Sequence, residues 1–168
     1  MGVEVGARRD LLIGIGNPLR GDDGVAALLL EELAEEWPAK RLAVAELQVV
    51  HQLTPELAAV VAGARRVLFV DACVAPQTVE PWIERLDPLE AQPASEGGAG
   101  RGSGSLGSHQ LAPATLLALA NLLFGWRGEG ALLRVPAFAF PHGPRLSPPL
   151  ERALPRARHL LRQWLREG

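Results

Sequence analysis

Two short apolar runs constrain this chain most. Leu11-Leu-Ile-Gly-Ile15 and Val67-Leu-Phe-Val70 show no polar–apolar alternation. A strand that is apolar on both faces must be covered on both faces, which is the situation of a parallel sheet with crossover helices. The segments between the strands fit that need. Val25, Ala26, Leu29, Leu30 and Leu33 recur at helical spacing, and Pro38 stops the run. Thr54-Pro55-Glu56 opens a second helix, with Pro at its first position, running to about Ala62 before Gly63. The pattern predicts an α/β three-layer sandwich of about five mostly parallel strands flanked by helices.

Further strands are expected over Arg41–Val50, Val79–Leu86 (weakened by Pro81) and Ala131–Phe140, and the Val67–Val70 run is expected to end at Asp71. Helices are expected over Pro113–Phe124 and Leu150–Leu165, the latter kinked or delayed by Pro155. Between Asp87 and Gly107 lie six glycines, so residues 92–107 read as a mobile loop inside a single domain spanning 1–168. A chain of 168 residues buries enough surface to need no staple, and its one cysteine excludes a disulfide framework or a Cys-rich zinc site. With 17 basic against 19 acidic residues, bulk electrostatics supply no affinity for nucleic acid or anionic membrane. The longest apolar run is six residues, far below the ~20 of a membrane helix. The opening MGVEVGARRD lacks the order of a secretory signal, so a soluble cytoplasmic protein is expected.

Ligands of open α/β sheets bind beyond the carboxyl ends of the strands. Three segments occupy such places: Gly14-Ile-Gly-Asn-Pro-Leu-Arg-Gly-Asp-Asp-Gly24, Asp71, and Ser108-His109 before a helix. The first is a poor nucleotide loop. Leu19 stands where the third fingerprint glycine belongs, no Gly-Lys-Ser/Thr follows, and two aspartates oppose a phosphate. The adjacent Asp22 and Asp23 can face different ways if Gly21 and Gly24 let the backbone turn. Asp22 is then expected to cap the helix, leaving Asp23 for chemistry. Two carboxylates and an imidazole from three loops form a mixed oxygen–nitrogen set suited to a borderline divalent ion, with positions left open. Cys73 reads as a small buried hydrophobe, His51 as a rim or core residue and His142 as surface. His51-Gln-Leu-Thr-Pro55 and His109-Gln-Leu-Ala-Pro113 share a helix-entry pattern too short to mark a duplication.

The segment Leu12-Ile-Gly-Ile-Gly-Asn-Pro-Leu-Arg-Gly-Asp-Asp-Gly24 closely resembles the opening motif of the hydrogenase maturation endopeptidases. Leu68-Phe-Val-Asp71-Ala72 and Ser108-His109-Gln110 follow in the family's order, and the resemblance covers roughly Leu11 to Leu154. It implies an endopeptidase that removes a C-terminal extension from the precursor of a nickel-iron hydrogenase large subunit, after nickel has been inserted. The metal-contacting residues it implies are Asp23, Asp71 and His109, with nickel supplied by the precursor rather than tightly held. A set without thiolate complements a nickel ion that the precursor holds through cysteines. Asn17 and Gly16 would line the cleft with polar backbone. Nickel would act either as a Lewis acid that activates water or as a recognition element beside a carboxylate base, for which Asp71 is the candidate. Two other readings compete: a non-catalytic chaperone binding nickel or precursor on the same fold, and a divalent-metal hydrolase of small peptides. The segment before His109 is more glycine-rich than the family pattern.

Overall fold

The computed structural model describes residues 8–38, 44–74, 78–88 and 111–168. Five strands form one sheet: β1 (Asp10–Ile15), β2 (Ala45–Val50), β3 (Arg66–Cys73), β4 (Trp82–Leu86) and β5 (Glu129–Pro136), in the order β2-β1-β3-β5-β4. All pairs are parallel except β4–β5. Among the described residues four helices cover the sheet: α1 (Val25–Glu36), α2 (Leu57–Ala62), α3 (Pro113–Phe124) and α4 (Pro148–Arg166).

The unbroken apolar strands explain the two cores. Leu12, Leu68, Val70, Leu133 and Val135 point to one face and pack with α1 and α4. Leu11, Ile13, Val67, Phe69 and Leu132 point to the other and pack with α2 and α3. Each fully buried leucine contributes roughly 2 kcal/mol of transfer free energy. The three-layer α/β sandwich expected from the sequence is the observed architecture.

Several boundaries differ from expectation. β3 runs two residues beyond Asp71, because Ala72 and Cys73 still pair with Val135 and Pro136. β4 starts only after Pro81. β5 starts at Glu129 and stops at Pro136, so Phe138 and Phe140 leave the sheet and are partly exposed. Pro55 lies two residues before α2, in the turn that leads into it. α4 takes Ser147 as N-cap, its hydroxyl accepting from the Leu150 amide, and runs through Pro155. Pro155 and Glu151 are both exposed, so the carbonyl that loses its helical donor faces water. The expected Arg41 start of β2 and the 92–107 loop lie outside the described residues, as does the N-terminal segment 1–7.

The amino edge of the sheet is held by buried polar groups. The Asp10 carboxylate takes Arg66 Nη2 at 2.7 Å and Arg65 Nη2 at 2.9 Å. Arg66 also donates to the Trp164 carbonyl at 2.9 Å and stacks on its ring at 3.8 Å. One guanidinium thus joins two strands to the last turn of α4, whose carbonyls lack helical donors. The Trp126 indole donates to the Ala64 carbonyl at 2.9 Å, just before β3. The Gly125 and Trp126 amides close α3 by bonding to the Asn121 and Ala120 carbonyls. The C-terminal end of α3 therefore sits at the amino edge, and its first residue, Pro113, at the carboxyl edge. Among the described residues no helix is long and apolar enough to cross a membrane.

Candidate active site

At the carboxyl edge the β1–α1 connection contains a 3-10 turn over Gly21–Gly24. Gly21 takes φ 56°, a conformation open to glycine, while Gly24 stays right-handed at φ −83°. The turn separates the two aspartates. Asp22 points inward and is fully buried. Its carboxylate accepts the amides of Phe138 at 2.7 Å, Ala139 at 3.0 Å and Ser147 at 2.7 Å, and the Ser147 hydroxyl at 2.7 Å. The expected capping role of Asp22 is therefore corrected: α1 has no side-chain cap, and Asp22 instead ties its loop to the chain leaving β5 and to the start of α4. A buried carboxylate is tolerated because four donors replace its water.

Asp23 is half-buried at the carboxyl edge of the sheet. Its Oδ2 accepts the Asn17 amide at 2.8 Å, and the Asn17 side chain takes the Leu19 amide at 2.9 Å, an Asx turn. Gly16 has φ 135°, and a β-carbon there would collide with the Asp23 carbonyl oxygen. Gly16→Ala is expected to destabilise the protein by roughly 2 kcal/mol or more and to displace Asp23. Thermal unfolding checks this: the melting temperature should fall.

Asp71 lies inside β3, not at its tip. Val50, Ile15, Asp71, Arg134 and Trp82 occupy one register line across the sheet. All project toward the α2 and α3 face, as the alternation from Phe69 and Leu132 requires. Burial pushes the Asp71 carboxyl up to about 7, opposed by the Arg134 guanidinium and assisted by the charge of Asp23. Asp23 and Asp71, on separate elements, thus feel each other at this edge. His109 lies outside the described residues.

Further residues stand at or around this edge. Arg134 carried no signal in the sequence, because its relation to Asp71 is a cross-strand register. Its Nε donates to Glu84 Oε1 at 2.9 Å. Burial raises the Cys73 thiol to about 11, opposed by Arg134, so it stays protonated at neutral pH and fits the reading of a small hydrophobe. His51 and His142 are exposed. Chemically, the edge offers one carboxyl poised to exchange a proton near neutral pH and a second half-buried carboxylate. Beside them stands a guanidinium paired to a third acid.

No sequence-family model matches the chain, and no curated protein does. Solved structures do. The hydrogenase maturating endopeptidase HybD from E. coli aligns with TM-score 0.64 at 20% identity, covering 95% of this chain and 93% of that one. The [NiFe] hydrogenase maturation protease HycI from Thermococcus kodakarensis aligns with TM-score 0.66 at 20% identity, covering 96% and 94%. A hydrogenase 2 maturation peptidase from a Thaumarchaeota archaeon aligns with TM-score 0.62 at 19% identity, covering 94% and 98%. With end-to-end coverage on both sides, the chain has the fold of the hydrogenase maturation endopeptidases.

Proposed function

We propose that this chain is an endopeptidase that removes a C-terminal extension from the nickel-loaded precursor of a nickel-iron hydrogenase large subunit. The observation that carries the proposal is the placement of Asp23 and the buried Asp71 near one another at the carboxyl edge of a fold shared with such proteases. The donor chemistry suits a divalent ion borne by the substrate. Asp23 and Asp71 supply oxygen donors at this edge, while Arg134 is paired to Glu84. Oxygen donors bind nickel weakly without help, so affinity would depend on ligands that the precursor brings. Asp23, Asp71 and His109 would hold the ion, which when bound supplies Lewis acidity. In the alternative in which nickel serves only as a recognition element, Asp71 is the candidate base for the attacking water, since burial raises its carboxyl to about 7.

The test is intact-mass measurement of a candidate large subunit after incubation with the protein, with and without nickel loading. One C-terminal truncation is expected, only in the loaded sample, and lost in Asp23→Ala, Asp71→Ala and His109→Ala. A stable complex without truncation would replace the protease with a chaperone. Cleavage of short unrelated peptides, indifferent to nickel loading, would replace it with a general metal hydrolase.

A further inference from the structure

The mechanism above leaves Arg134 unused, although it stands next to Asp71 on the neighbouring strand and on the same face of the sheet. Its side chain is about one-fifth exposed (21%), so it is open to a ligand while largely shielded from water. It lies close enough to Asp71 to lower that carboxyl's pKa, yet its ion pair is made to Glu84. Glu84 engages Nε and the guanidinium also reaches the Cys73 thiol, so it is held by two neighbours. Trp82 sits directly across from Arg134 in the antiparallel pair. A cation held in this way, beside the candidate base but not neutralised by it, is suited to an oxygen that gains charge between them.

We propose that Arg134 is a catalytic residue that holds the carbonyl oxygen of the scissile peptide bond, oriented by Glu84 as a positioning residue. This rests on the endopeptidase reading. As the water oxygen bonds to the carbonyl carbon, the π electron pair moves onto the carbonyl oxygen, where the guanidinium donates to it. The pair returns when the C–N bond breaks, and the proton lost by the water goes to the departing amine. Water is consumed and no other reactant is needed. Groups aimed at developing charge act mainly on kcat, because the neutral carbonyl of the ground state gains less from them.

The experiment uses the full chain and nickel-loaded precursor. Arg134→Gln is expected to lower kcat about 100-fold with KM changed less than threefold, the usual scale for one oxyanion donor. Arg134→Lys, which keeps the charge without the fork, should recover part of the loss. Glu84→Gln, which leaves the guanidinium in place but unoriented, should lower kcat by about tenfold. Nickel titration of the chain alone gives a readout without turnover. Removing a positive charge should tighten nickel binding in Arg134→Gln, whereas a misfolded site would weaken it. A kcat within twofold of wild type in Arg134→Gln overturns the assignment and leaves the endopeptidase reading standing. A raised KM with unchanged kcat also overturns it, making Arg134 a substrate anchor. No cleavage by the wild-type chain overturns the endopeptidase reading and this assignment with it.

Discussion

Asp71→Asn is expected to abolish cleavage, by at least about a thousandfold, and at the same time to make the protein more stable at pH 8. The two effects share one cause. The folded protein raises this carboxyl from 3.8 to about 7, chiefly by burying it. Between those two values the folded state holds a proton that the unfolded chain has released. Stability therefore falls as pH rises from about 4 to about 7, and the penalty is complete above that window. About three pH units correspond to as much as about 4 kcal/mol at pH 8, a cost that the neutral amide of asparagine avoids. Urea unfolding of wild type and Asp71→Asn at pH 4.5 and pH 8 measures it. The two proteins should be similar at pH 4.5 and separate at pH 8, with the variant the more stable. Equal stabilities at both pH values would mean that Asp71 is not held in a desolvated place. A stability gain on losing a side chain, coupled to loss of activity, is the mark of a group kept at a cost for chemistry.

Asp22→Ala should act on stability in the opposite direction to Asp71→Asn. It leaves the Phe138, Ala139 and Ser147 amides and the Ser147 hydroxyl without the acceptor they share. Each hydrogen bond to a charged group is worth about 1.5–3 kcal/mol, and buried donors left unpaired cost their full desolvation. A loss of roughly 5 kcal/mol is expected, lowering the melting temperature by well over 10 °C for a chain of this size. Asp22→Asn recovers only part of it, because the amide nitrogen must then face a donor. Asp23→Ala, by contrast, gives up one hydrogen bond, from the Asn17 amide, and should unfold within about 1 kcal/mol of wild type while losing cleavage. Calorimetry of the pair decides the matter. An Asp22→Ala protein as stable as Asp23→Ala would show that the buried carboxylate does not join the loop to β5 and α4.

Element type and order were legible because their causes are local. Unbroken apolar runs require cover on both faces, and helical spacing between them supplies it, so the layered sandwich follows from Leu11–Ile15, Val67–Val70 and the α1 pattern. α3 begins and ends where Pro113 and Gly125 place it. Boundaries slipped where a partner strand decided them. β3 outruns Asp71 because β5 is there to pair with Ala72 and Cys73, and nothing in Asp71-Ala-Cys73 shows that. In α4 the Pro155 signal was overridden, since the carbonyl it strands lies on the wet side of an otherwise well-packed helix.

At the site, the sequence by itself determined the candidates. A turn rich in glycine and aspartate after the first strand and an aspartate on the third belong at the carboxyl edge of a parallel sheet, whatever the details. Only the tertiary structure decided which aspartate does what. The 3-10 turn sends Asp22 to amides more than a hundred residues away and leaves Asp23 half-buried at the carboxyl edge, a partition that two identical adjacent side chains cannot encode locally. Arg134 and Glu84 join the site for the same reason. Hydrophobic period and turn chemistry act over a few residues, whereas register and desolvation exist only once distant strands have packed.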